Sequence, residues 1–371
     1  MKQNLKRFVT SFAAFVACVC LLATGCNGKH YGEDGKPADD SITSTTNVRW
    51  LAAAGSTFIE PLIDRWDNDY TKAHELHINY LPVGSDGGID RLRHGYGAFS
   101  VSDAPLGDDQ LKGLPPIAQF PVTAGPVCIV YNLPGLKAPL RLSGKTLAGI
   151  YAGEILNWQD AAIAHDNPGA ALPRTPILAV HRQDGSGTTS IFKNYLSAAS
   201  PTWKSKVGQG LSIRWPKGVG ADGSNGVLSM VQGNVGAIGY AELSYAKRDK
   251  MAVSLIQNRA GEFVEPTPAS ASLAVNAAID VLAKDIRTPI VDPPATAKGA
   301  YPITGLSFIL IPKDSKGLVG DQKALRDYIA YALSTGQDVA EELSYAKLPP
   351  PVQQQGQALL SQLTQNGQPL K

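Results

Sequence analysis

The feature that most constrains this chain is a pattern met three times: a short apolar run, a turn of Gly, Ser and Thr, and then an amphipathic helical stretch. Residues 48–54 read as a strand and lead into Gly55-Ser56-Thr57-Phe58, after which Phe58, Leu62, Trp66 and Tyr70 recur every fourth residue, as one helix face requires. A second run, 78–83, leads into Gly84-Ser85-Asp86-Gly87-Gly88 and a short helix carrying Ile89 and Leu92. A third, 178–180, enters His181-Arg182-Gln183-Asp184-Gly185-Ser186-Gly187-Thr188-Thr189, and Ile191, Phe192, Tyr195 and Leu196 form the stripe beyond it. Strands alternating with helices imply an α/β fold. With 371 residues, the chain exceeds the roughly 250–300 at which single cores stop growing, so two lobes are expected. In open α/β sheets, ligands sit beyond the carboxyl ends of the strands, where helix N-termini offer free N–H groups and a positive dipole end to anions. The three turns are therefore the candidate site.

Each turn has an ordinary reading beside the functional one. Thr57 suits helix capping, the usual role of Ser and Thr there. Ser85 lies among glycines that let backbone approach a ligand closely. Asp103, in Ser102-Asp103-Ala104-Pro105, has the form of a turn residue. The third turn is more specific. Arg182 supplies a planar donor fork suited to an oxyanion, Asp184 can hold that fork, and Ser186, Gly187 and Thr188 present amides at a helix start. An exposed Arg–Asp pair, energetically minor, is the competing account. The coincidence of charge, fork and amides within a few residues favours function.

The N-terminus carries Lys2, Lys6 and Arg7, then an apolar stretch over 12–23, then Ala23-Thr24-Gly25-Cys26, which reads as an export signal. The apolar stretch is shorter than the roughly 20 residues a spanning helix needs. Residues 27–47 are polar and rich in Gly, Asp, Ser and Thr, a tether that would reach on the order of 25 Å. The net charge is +2, and the first 25 residues hold three positive charges and no acidic residue, so the remainder stands at −1. That balance gives no footprint for nucleic acid. Of four cysteines, only Cys128 lies in sequence expected to fold, inside an apolar run that suits a core residue rather than a reactive thiol. Gly218-Val219-Gly220-Ala221-Asp222-Gly223 matches a dinucleotide-binding spacing, but the polar residues before it make it read as a loop. The Gly185-Ser186-Gly187-Thr188 turn lacks the Lys of a nucleotide-hydrolase loop, and the histidines, His74-Glu75-Leu76-His77 included, lack zinc-site spacing. No cofactor or metal is expected.

Taken together, Ala54-Gly55-Ser56-Thr57-Phe58, Gly84-Ser85, Ser102-Asp103-Ala104-Pro105-Leu106, Arg182 with Asp184-Gly185-Ser186-Gly187-Thr188, Gly236-Ala237-Ile238-Gly239-Tyr240 and Tyr301-Pro302-Ile303-Thr304 resemble the phosphate-binding components of phosphate-specific ABC transporters. The resemblance runs from about Ala53 to the C-terminal region. It implies a two-lobed periplasmic binding protein fold, type II-like, with hinge strands: lobe I from 48–124 plus 302–371, lobe II from 125–301, behind a signal peptide at 1–25 and the tether at 26–47. It implies that Thr57, Phe58, Ser85 and Asp103 hold phosphate from one lobe and Arg182, Ser186, Gly187 and Thr188 from the other, with Asp184 orienting Arg182. Asp86 stands where some members of the family have Ser, so its side chain is expected to point away from the anion. Asp103 repels a fully deprotonated anion and accepts a hydrogen bond from one that keeps a proton, as phosphate does near neutral pH and sulfate does not. The segment ending in Cys26 resembles a lipoprotein processing site, although Ala23 stands where Leu is usual; ordinary cleavage after Gly25 is the other reading. The expected partners are inorganic phosphate, ABC permease subunits and a membrane reached through the lipid anchor, with the protein a monomer in the periplasm or cell envelope. The rival classes are a secreted phosphohydrolase using Ser186 or Thr57, and a phosphate binder recruited as a surface interaction protein.

Overall fold

The computed structural model describes residues 49–212, 214–316 and 321–370. The expected signal, the tether and Cys26 lie outside the described residues. Eight strands carry the architecture: β1 (Arg49–Gly55), β2 (Leu76–Leu81), β3 (Phe99–Ser102), β4 (Ile117–Tyr131), β5 (Leu178–Arg182), β6 (Val219–Ala221), β7 (Ala237–Glu242) and β8 (Thr304–Pro312). They line up as β2-β1-β3-β8-β4-β7-β5-β6, and a short ninth strand, Ala252–Val253, pairs with β4. The outer trios β2-β1-β3 and β7-β5-β6 are parallel within themselves. The centre is antiparallel, with β8 against β3 and β4, and β4 against β7. Two parallel wings thus share an antiparallel middle, and the α/β expectation holds.

β4 explains why the wings are continuous. All 15 of its residues except Ile117 are buried, which suits a strand covered on both faces. Its side chains alternate between two apolar clusters: Val127, Ile129 and Tyr131 join the main core, while Cys128 and Val130 pack with Val180, Val227, Val231 and Ala237. Cys128 is the core residue its surroundings in sequence suggest, its thiol pushed up by burial. The two prolines of β4 sit where a missing N–H matters least. The pairing with β8 is irregular beside Pro121, and Pro126 is the last residue paired with β8 before β4 takes β7 as its partner from Val127 onward.

The helices that matter for the site are α1 (Glu60–His74), α2 (Gly84–Arg93), α3 (Gly187–Ala199) and α4 (Gly223–Gly233). α1 buries Leu62, Ile63, Trp66 and Tyr70. Phe58, which the spacing assigns to the same helix face, precedes α1; it is fully buried and packs on Tyr345 with ring centroids 5.7 Å apart. Two further expectations need correction. Gly84-Ser85-Asp86-Gly87-Gly88, read as a turn before the helix, is the first half of α2 itself. The sequence there is poor in helix formers, but Gly88 lets the helix lie against β1 so closely that an added Cβ would fall 2.5 Å from the Gly55 Cα. Tertiary packing overrides local propensity. Gly218-Val219-Gly220-Ala221-Asp222-Gly223, read as a loop, holds β6 and the start of α4. Its three-residue strand was too short to be seen as an apolar run. It adds a fourth strand–turn–helix junction to the three expected.

Candidate anion-binding site

The site forms at the carboxyl ends of β1, β3, β5 and β6 and the N-termini of α2, α3 and α4. Gly55, at φ +149°, ends β1 against β3, where a Cβ would meet the Val101 carbonyl oxygen at 2.1 Å. Only glycine fits. The next residue, Ser56, turns its hydroxyl inward, accepting the Phe58 N–H at 2.9 Å and donating to Asp103 Oδ2. Asp103 follows β3 and is 4% exposed; its other oxygen accepts from the Ser307 hydroxyl at 2.6 Å. Burial pushes the Asp103 carboxyl up to about 7, against the Ser307 and Ser56 hydroxyls, which favour the charged form; Glu242 adds to the rise and Arg182 opposes it.

Ser85 joins the two wings. Its Oγ accepts the Asp103 N–H at 3.2 Å and the Gly187 N–H at 3.1 Å, so its own proton is free for another acceptor. The approach is close enough that a Cβ on Gly187 would fall 2.5 Å from Ser85 Oγ and 2.6 Å from Asp103 Oδ2. At the rim, the Asp86 N–H donates to the Gly185 carbonyl at 3.1 Å, and Asp86 is exposed while its neighbour Ser85 is buried.

From the other wing, Arg182 ends β5 and is 2% exposed. Both oxygens of Asp184 accept from its fork, Nε at 2.6 Å and Nη2 in a second contact. Burial alone would raise the Asp184 carboxyl, but Arg182 and the Gly223 N–H, 3.1 Å away, hold it below the usual carboxylate range. The remaining nitrogen, Nη1, donates to Thr57 Oγ1 and Ser224 Oγ, both at 3.2 Å, and those two hydroxyls lie 2.9 Å apart. The Arg182 backbone N–H donates to the Tyr240 hydroxyl at 3.0 Å, which also meets Thr189 Oγ1 at 2.6 Å. The guanidinium is thus fixed at its backbone, fork and tip.

Of the residues expected at the site, Thr57, Ser85, Asp103, Arg182 and Gly187 converge. Phe58, Ser186 and Thr188 adjoin them in the chain, with part of their capacity committed: the Phe58 N–H to Ser56, the Ser186 N–H to the Leu211 carbonyl at 3.1 Å, and the Thr188 hydroxyl to Glu242 at 2.6 Å. Ser186 Oγ caps α3, accepting the Thr189 N–H at 3.3 Å. Sequence reasoning did not find Ser56, Ser224, Glu242 or Ser307. Ser56 and Ser224 each sit in a Gly-rich strand–helix turn, a usable signal. Ser307 lies inside a fully buried strand 204 residues from Asp103, and no local pattern marks it.

The arrangement is one cation matched by its own carboxylate, a second carboxylate that gains a proton near neutrality, and a surround of hydroxyls and helix-start amides. It suits a small tetrahedral anion that retains a proton.

A match to the PBP superfamily domain covers residues 40–335. The "Phosphate-binding protein PstS" of Xylella fastidiosa (strain Temecula1) is 41% identical over 353 residues, covering 93% of this chain and 96% of that protein. Its namesake from Methanocaldococcus jannaschii is 32% identical over 358 residues, covering 89% and 90%. Among solved structures, a phosphate ABC transporter substrate-binding protein from Clostridium perfringens superposes with a TM-score of 0.58 at 20% identity, over 81% of this chain and all of that one. A phosphate-binding protein from Stenotrophomonas maltophilia gives 0.63 at 17% identity, over 83% and 93%. The wings joined through β4 and β8 are the two-lobed architecture of this superfamily, and the chain belongs to the PstS family of phosphate-binding proteins.

Proposed function

We propose that this protein captures inorganic phosphate outside the cytoplasm and delivers it to an ABC permease for import. The observation that carries this reading is the convergence of Ser85 and Asp103 with Arg182 and Gly187 at the carboxyl ends of strands from both wings. Lobe I comprises 48–124 plus 302–371 and lobe II comprises 125–301, boundaries favoured by the change of partner along β4 at Pro126 and by Thr304, which opens β8 opposite it. Phosphate is held by Thr57, Phe58, Ser85 and Asp103 from lobe I and by Arg182, Ser186, Gly187 and Thr188 from lobe II. Asp184 orients Arg182 rather than touching the anion, and closure of the lobes brings the two sets together. The protein acts as a monomer, held at a membrane by a lipid on Cys26. No helix among the described residues is long and apolar enough to cross a membrane.

The relatives are binding proteins by name, and this chain works without turnover. Hydrolysis at Ser186 or Thr57 would need a base beside the hydroxyl. Ser186 Oγ instead accepts a backbone N–H, and Thr57 Oγ1 faces the guanidinium and Ser224.

Calorimetry with phosphate, sulfate and arsenate on wild type and Asp103→Asn tests the proposal. The wild type should prefer phosphate to sulfate by about 10⁴-fold, as sites with a buried polar partner do, and the variant should lose most of that preference. Equal binding of the two anions by the wild type would overturn it.

A further inference from the structure

β7 ends at Glu242, and the chain turns at once into a short helix, α5 (Leu243–Arg248), within lobe II. Its Tyr245 is 2% exposed, and a buried tyrosine hydroxyl needs a partner. Both hydrogen-bond partners of that hydroxyl among the described residues lie in lobe I. It donates to the Thr57 carbonyl at 3.0 Å and meets the carboxylate of Glu60, the first residue of α1. The same carbonyl accepts the Glu60 N–H at 3.3 Å as α1 begins. Thr57 is thus gripped from lobe II at two points, Oγ1 by Arg182 and Ser224 and its carbonyl by Tyr245. The Arg248 guanidinium lies over the Tyr245 ring, 4.8 Å from its centroid, and sets the ring from its own helix.

We infer that Tyr245 is a positioning residue for anion capture: it holds the Thr57–Glu60 turn of lobe I against lobe II without touching the anion. The inference rests on the two-lobed phosphate reading and deepens it. Separating the lobes gives the tyrosine hydroxyl and its two acceptors back to water, so the contact stabilises the closed form alone. Such a contact shifts the open–closed equilibrium by its own free energy, and the apparent affinity moves with the closed fraction. Because its partners are a backbone carbonyl and Glu60, it cannot tell one tetrahedral anion from another. Asp103 decides which anion stays; Tyr245 helps decide how long the lobes remain together.

Tyr245→Phe removes the hydroxyl and keeps the ring under Arg248. Calorimetry should show phosphate and arsenate weakened alike, by roughly five- to tenfold, the scale of one hydrogen bond. In stopped-flow measurements the dissociation rate should rise by that factor with the association rate unchanged. The melting temperature of the anion-free protein should stay at the wild-type value. Tyr195→Phe is the control, since its hydroxyl donates to the Gln257 carbonyl at 3.2 Å inside lobe II. It should lower that melting temperature and leave both rates alone. If Tyr245→Phe does not fold, Glu60→Ala removes one of the two acceptors from the start of α1 and should raise the dissociation rate by a smaller factor. A wild-type dissociation rate in whichever variant folds, or a change in the preference between the two anions, would overturn the inference while leaving phosphate capture standing. A wild type that fails to bind phosphate would instead overturn the underlying reading.

Discussion

The two halves of the site solve one problem by opposite means. On the β1–β3 side a carboxylate is buried without a cation of its own, and two serine hydroxyls donate to it. On the β5–β6 side a guanidinium is buried with its carboxylate beside it. The first arrangement leaves a group whose charge depends on pH near neutrality; the second leaves a group whose charge is fixed. On the proposed reading of the site, the contrast amounts to a division of labour in which the fixed cation would supply affinity and the titrating acid discrimination.

Replacing Arg182 with Ala strains this division most. It removes the cation and leaves the half-buried Asp184 without its partner, a loss that typically costs about 2–5 kcal/mol, so phosphate affinity should fall by about 30-fold or more. Because Arg182 does not read the proton, sulfate should weaken by a similar factor; calorimetry showing that only phosphate weakens would break the contrast.

A pH series sharpens it from the other side. The Asp103 carboxyl is raised to about 7, so it is ionised above that pH and protonated below it. A protonated Asp103 can donate to sulfate, and an ionised one repels it. Sulfate affinity should therefore climb as pH drops from 8 to 6, by about tenfold in total and levelling off below 7, in the wild type and not in Asp103→Asn. A flat sulfate profile in the wild type would remove Asp103 from the discriminating role.

Ser224→Ala gives the smallest expected effect. The hydroxyl sits between Thr57 and the Arg182 tip, and its loss should weaken phosphate and sulfate alike by about 1 kcal/mol, a few-fold in dissociation constant. A selective effect on one anion would make Ser224 a reader rather than a support.

The same contrast explains what was legible in the sequence. Arg182 and Asp184 stand two residues apart in a Gly-rich turn, and a charge in such a turn signals its use locally. Asp103 alone looks like an ordinary turn residue; its character comes from Ser56 and Ser307, brought to it from β1's end and from within β8. The α/β alternation and the stripe Leu62, Trp66 and Tyr70 were readable because burial imposes a period on a helix. The first half of the helix at Gly84–Arg93 and the strand at Val219–Ala221 were not, since close glycine packing, in one case, and extreme shortness, in the other, leave no period to see. Glu242 escaped for a different reason: it lies at the end of a strand that is buried throughout, and nothing near it in the chain signals that its partner is Thr188.

The rim built from Gly84, Gly185 and Gly187 carries a kinetic consequence. At each position an added Cβ would fall within 3 Å of the opposing wing, and the Asp86 N–H ties directly to the Gly185 carbonyl. Along this edge the wings would have to part before an anion held between them could leave, so on the proposed reading its dwell time depends on how often the edge opens as well as on the contacts around the anion.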